Sequence, residues 1–137
     1  MSKAALNILI VDDEPSDQLL ETIALSEQPF DSITHCVGSA AAAIEYLDNV
    51  TQRNTAPPDI LLLDGHLMEK PALEILDHVK GHEKLRDIHV IILTGVISLV
   101  DQECFLHHGA DSILEKSADF NDLIQTLAFL ERYARAA

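Results

Sequence analysis

The chain has 137 residues, 47% of them hydrophobic, and a formal net charge of −14 from 23 acids against 9 lysines and arginines. That length predicts one domain spanning 1–137, and that hydrophobic share excludes a disordered chain. The charge repels nucleic-acid phosphates and anionic lipids, which argues against direct nucleic-acid or membrane partners.

The N-terminus, "MSKAALNILIV", carries no signal-peptide pattern, and no apolar run approaches membrane-spanning length, so a cytoplasmic location is expected. Leu6 to Val11 predicts the first strand, and a helix comes next from about Pro15 to Glu27, with proline in its first turn. Ser32 to Val37 predicts a second strand. "GSAAAAIEYLDNV" predicts a helix capped by Ser39, with Ala40, Ile44 and Leu47 on one face. "TQRNTAPP" reads as a polar loop, "DILLLD" as a strand ending at Asp64, and "PALEILDHVKG" as a helix stopped by Gly81. "IHVIILT" is a further strand. Ser98 and Asp101 stand at capping-box spacing, "DSILEK" is a fifth strand, and Asp119 to Ala134 predicts the last helix. Cys36 and Cys104 lie in apolar segments without metal-ligand spacing and are expected to be buried free thiols.

Five βα units, with strands one, three and four apolar along nearly their whole length, predict a parallel sheet covered on both faces. Right-handed crossovers make this a doubly wound, flavodoxin-like α/β fold of order 2-1-3-4-5. Ligands of such sheets bind beyond the carboxyl ends of the strands. Those ends carry Asp12 and Asp13, Asp64, Thr94 and Lys116. Three adjacent carboxylates beside one ammonium suit a hydrated Mg²⁺, which takes oxygen ligands and bridges to phosphate. The loop "DDEPSD" would repel a nucleotide, and no glycine-rich phosphate loop is present. Phosphate can instead arrive covalently: an aspartate attacks a phosphoryl donor. Asp64 is the natural nucleophile, Mg²⁺ held by Asp12 and Asp13 would neutralise phosphoryl oxygens together with Lys116, and Thr94 would donate to one of them.

Asp12-Asp13, Asp64, Thr94 and Lys116 on five βα units resemble the receiver domain of two-component response regulators, over nearly the whole chain. The resemblance implies Asp64 as phosphoacceptor. It also implies a Mg²⁺ site of Asp12, Asp13, Asp64 and the His66 backbone carbonyl, with Thr94 and Gly95 lining the phosphate side. It implies a histidine kinase or phosphotransfer protein as donor and a downstream protein target. The loop "DNVTQRNTAPPD" and the Lys-Ser pair followed by "DFNDL" resemble the small regulators serving bacterial phytochrome kinases. There are departures: Met68 and Ala72 replace the family's Pro and Gly, Ile113 stands at the aromatic switch position paired with Thr94, and Ser117 replaces Pro after Lys116. A trans Lys116–Ser117 bond is expected, because a cis bond without proline costs about 2.5–4 kcal/mol.

Two other readings compete. A pseudo-receiver would keep the fold and signal without phosphate, against the complete acid, Thr and Lys set. A haloacid-dehalogenase-type phosphatase would need a D-x-D pattern after the first strand and room for a cap. Finally, a helical wheel sets Phe129 and Tyr133 opposite the apolar stripe of the last helix. That predicts an outward aromatic pair, a partner surface suited to a homodimer.

Overall fold

The computed structural model describes residues 5–64, 69–95, 97–117 and 119–135. Strands β1 (Leu6–Val11), β2 (Ser32–Val37), β3 (Ile60–Asp64), β4 (His89–Thr94) and β5 (Ser112–Glu115) form one parallel sheet in the order β2-β1-β3-β4-β5. Helices α1 (Pro15–Ser26), α2 (Ala40–Gln52), α3 (Glu69–Lys80), α4 (Leu99–His107) and α5 (Phe120–Leu127) alternate with them along the chain. A 3₁₀ turn (Ala128–Leu130) and a short α6 (Glu131–Arg135) end the described chain.

Side chains alternate across a strand, and here that alternation builds two cores. Leu9, Val11, Leu61, Leu63, Val90 and Ile92 face α2, α3 and α4, where Leu47, Ile75, Leu76 and Phe105 meet them. Ile8, Ile10, Ile60, Leu62, Ile91 and Leu93 face α1 and α5, against Leu25, Leu123 and Leu127. Parity then places the polar strand ends. Asp12 and Asp64 continue the rows of Ile10 and Leu62, toward α1 and α5. Thr94 falls on the opposite face, with Ile113. Register sets their heights: Val11 pairs with Leu63, so Asp12 and Asp64 stand level.

The caps agree with the sequence. Ser39 Oγ accepts from the Ala42 N–H at 3.0 Å, and Ser98 Oγ from the Asp101 N–H at 3.1 Å. Helix α2 outruns its predicted end by two residues and closes at Asn54, whose φ of 54° lets Thr55 N–H reach the Val50 carbonyl. Helix α3 begins two residues before Pro71. The Lys116–Ser117 bond is trans, as is every described peptide bond.

Two expectations are overturned. The last helix is not continuous, because the 3₁₀ turn takes roughly 20° more per residue than an α-helix and rotates the segment from Glu131 onward. Phe129 and Tyr133 therefore do not stand outward: both are half-buried and pack against the α1/α5 core. Tyr133 lies 4.3 Å from the His89 ring, centroid to centroid, and the Arg132 guanidinium covers Phe129. The cysteines are free, but Cys36 is exposed and Cys104 half-buried. Cys36 sits on edge strand β2, on a side that its contact with Thr22 only partly covers.

Helix α4 ends in a Schellman motif: Ala110 N–H donates to Phe105 O, and Gly109 N–H to Leu106 O. Gly109 has φ +109°, and a Cβ there would lie 2.7 Å from Lys80 Cγ. Lys80 cannot yield easily, since its ammonium donates to the Arg86 and Ile88 carbonyls and to Asp111. Gly109→Ala is expected to cost about 1–3 kcal/mol, read as a lower urea midpoint at unchanged m-value. An unchanged midpoint would show that this turn bears no strain.

Candidate functional site

The carboxyl ends of β1, β3 and β5 converge on the Lys116 ammonium. Lys116 Nζ lies 2.9 Å from Asp17 Oδ2, 3.3 Å from Asp12 Oδ2 and 3.5 Å from Asp64 Oδ2. Its backbone N–H donates to the Thr94 carbonyl, which pins the start of the β5–α5 loop beside β4. Asp12 and Asp64 are 0% and 1% exposed, so these are charges nearly without water. Burial, the largest influence on Lys116, opposes its charge. The hydrogen bond to Asp17 and the charges of Asp64, Asp12 and Glu21 outweigh it, and its pKa is raised.

Two of these acids were not among the predicted site residues. Asp17 lies in the first turn of α1, and Glu21 lies one turn further along the same face. Glu21 is buried, and its Oε2 has no hydrogen-bond partner. Burial, then the hydrogen bond and charge of Asp12, push its pKa up to about 9. It is therefore a neutral acid at pH 7 that donates to Asp12. For Asp12, burial again acts upward, but the hydrogen bonds from Glu21 and the Glu14 N–H, with the charge of Lys116, hold it below the usual carboxylate range. A signal for both residues was present: Asp17 and Glu21 are four apart, and Glu21 falls on the face that buries Ala24 and Leu25.

The other predicted residues lie around this cluster. Asp13 is exposed, directly after Asp12. Thr94 is 3% exposed at the end of β4. A Cβ built on Gly95 would meet nothing within 4 Å, so the backbone there opens on free space. Ile113 is half-buried and lines, with Thr94, Gly95, Ile97 and Gln102, a cavity of about 240 Å³. His66 and Met68 lie outside the described residues.

The donor set fits a hard divalent cation. Oxygens of Asp12, Asp17 and Asp64 lie within 4.8 Å of one another, and among the described residues no nitrogen or sulfur ligand joins them. These carboxylates crowd a single ammonium, a net negative setting that a divalent ion would offset.

Residues 8–128 match the sequence model of the response regulator receiver domain, and the chain belongs to this family of two-component systems, whose members pair with histidine kinases. It is 29% identical over 126 residues to the probable methanogenesis regulatory protein FilR2 of Methanothrix harundinacea, covering 92% of this chain and 81% of that one. It spans about half the length of the phosphate-regulon regulators it also matches. The crystal structure of the phosphorylated cyanobacterial phytochrome response regulator RcpA superposes with a TM-score of 0.83 at 26% identity, covering 97% and 96% of the two chains. The Mn²⁺-bound form of response regulator Rcp1, from Synechocystis, gives 0.78 at 26% identity, covering 92% and 91%.

The raised pKa of Glu21 has a consequence for stability. Unfolded Glu21 titrates near 4.5 and folded Glu21 near 9. Between these values the folded state keeps a proton that the unfolded state has released, so stability falls as pH rises through the window. Glu21→Gln keeps the neutral shape and removes the titration. Urea denaturation across that window should find wild type losing up to about 1.4 kcal/mol per pH unit relative to E21Q. Parallel curves would show that folded Glu21 titrates normally.

Proposed function

We propose that this receiver takes a phosphoryl group from a histidine kinase onto Asp64, with Mg²⁺, and thereby alters the surface it offers a downstream protein. The observation that carries the proposal is the setting of Asp64: almost fully buried at the end of the central strand, level with Asp12 and 3.5 Å from the Lys116 ammonium. An Asp64 oxygen attacks phosphorus as the bond from phosphorus to the donor breaks, and the electron pair leaves with the donor. Asp12, Asp64 and the exposed Asp13, with the His66 carbonyl, would hold Mg²⁺, which would supply positive charge to offset that of the transferring group. Thr94, Gly95 and Lys116 receive the phosphoryl oxygens. The reaction is self-catalysed acceptance rather than turnover of a free substrate.

Likeness to the phytochrome regulator RcpA supports a bacteriophytochrome as the kinase, and the Mn²⁺-bound Rcp1 supports a divalent ion. Among the described residues no helix is long and apolar enough to cross a membrane. For output, Leu99 and Val100 are 75% and 74% exposed at the start of α4, just beyond the Thr94–Gly95 loop. They replace Phe129 and Tyr133 as the apolar surface for a target. The homodimer expected through those aromatics loses its basis, since both rings pack inward.

Asp64→Asn should take up no phosphoryl group from acetyl phosphate or a kinase, while Asp12→Asn is slowed. Borohydride trapping and mass spectrometry locate the label, and a label on Asp12 or on a histidine refutes the mechanism. Asp13→Ala should weaken Mg²⁺ binding roughly tenfold or more, since even indirect metal contacts count on that scale. Equal affinity in a calorimetric titration removes Asp13 from the ligand set.

A further inference from the structure

Lys116 has three N–H donors, and its shortest contact is not with Asp64. It is with Asp17, at 2.9 Å against 3.5 Å. Asp17 stands on α1, and its side chain is 31% exposed. Between α1 and the β5–α5 loop lies a cavity of about 270 Å³ lined by Asp17, Leu20, Glu21, Gly95, Lys116 and Ser117. The lysine thus has room on its α1 side. Glu21 keeps its hydrogen bond on Asp12, which leaves Asp17 as the acid on α1 that holds the ammonium directly.

We infer that Asp17 is a positioning residue that draws Lys116 toward α1 and competes with a phosphoryl group on Asp64 for its ammonium. This rests on the phosphoacceptor reading. A phosphoryl group brings more negative charge to the Asp64 side and offers new acceptors there. Lys116 then exchanges its Asp17 bond for a phosphoryl oxygen, and the β5–α5 loop loses its ionic tie to α1. Asp17 so opposes retention of the phosphoryl group and couples α1 to the β5–α5 loop through Lys116.

The test uses Asp17→Asn in the full chain, with Glu14→Gln as a control that removes an exposed charge near the crevice without touching Lys116. Lys116 is read through its ammonium resonance in ¹H–¹⁵N spectra without ligand, and through affinity for beryllofluoride, an acyl-phosphate mimic, with Mg²⁺. D17N should shift the unliganded Lys116 resonance toward its position in the beryllofluoride-bound wild type. It should also raise beryllofluoride affinity on the order of threefold, the worth of one such ion pair, while E14Q changes neither. An unmoved Lys116 resonance in D17N overturns the hold. Equal gains in D17N and E14Q reduce the effect to through-space charge and overturn the competition. A wild type that binds no beryllofluoride overturns the phosphoacceptor reading, and the competition with it, while the unliganded spectra still report the hold.

Discussion

Everything in the upper half of this molecule is arranged around one ammonium group in a place with little water. Lys116 meets Asp12, Asp17 and Asp64, two of which are almost fully buried. Removing charges from water is costly, and a buried group persists ionised only when partners replace its hydration. The cluster meets that demand unevenly. Lys116 is shared among three carboxylates, and Glu21 escapes the cost by remaining protonated. Glu21 then supplies Asp12 with a donor where another carboxylate would have repelled it. One acid is neutral so that its neighbour can be charged.

The fold makes such a cluster possible by being conservative elsewhere. Both faces of the sheet are aliphatic, and among the described residues no polar side chain is buried in the strands short of their carboxyl ends. In β1, β3 and β4 the buried polar side chains come only at the last residue or just beyond, and parity sends Asp12 and Asp64 to the α1/α5 face. Gln18 ties that end together: its amide donates to the Asp12 and Val37 carbonyls, closing β1 onto β2. On the other side of α1, Gln28 donates to the Ile124 carbonyl of α5. The two helices that flank the lysine are therefore fixed to the sheet end and to each other by side-chain amides.

Strands β1, β3 and β4 were legible in the sequence because each is a short, mostly apolar run cut off by a charge or a turn, and in a doubly covered parallel sheet nothing else competes for that pattern. Ser32–Val37 is legible on β-branched residues alone, although it is the exposed edge. The acids of α1 were harder. Asp17 reads as an ordinary first-turn acid favoured by the helix dipole, which hides its role toward a lysine 99 residues away. Glu21 was the better clue, an acid on the buried face of an amphipathic helix. The break before Leu130 was not legible: Leu127 and Leu130 are compatible with both a continuous helix and a 3₁₀ turn, and packing against the sheet decides between them.

The space beside Thr94 has a consequence for movement. It is lined by Ile113, a β-branched side chain stiff at χ1. An aromatic ring at that position could swing between the cavity and the surface by one rotation. Isoleucine cannot, because it is held against the α2/α3/α4 core and has little to extend in either direction. Gln102 can: its chain is long and unbranched, and its amide is held to the Ile97 carbonyl only at 3.4 Å. It stands on α4 directly above the exposed Leu99 and Val100 turn. Around Thr94 in this chain, the side chain with reach into the cavity is therefore Gln102 on α4 rather than the residue on β5.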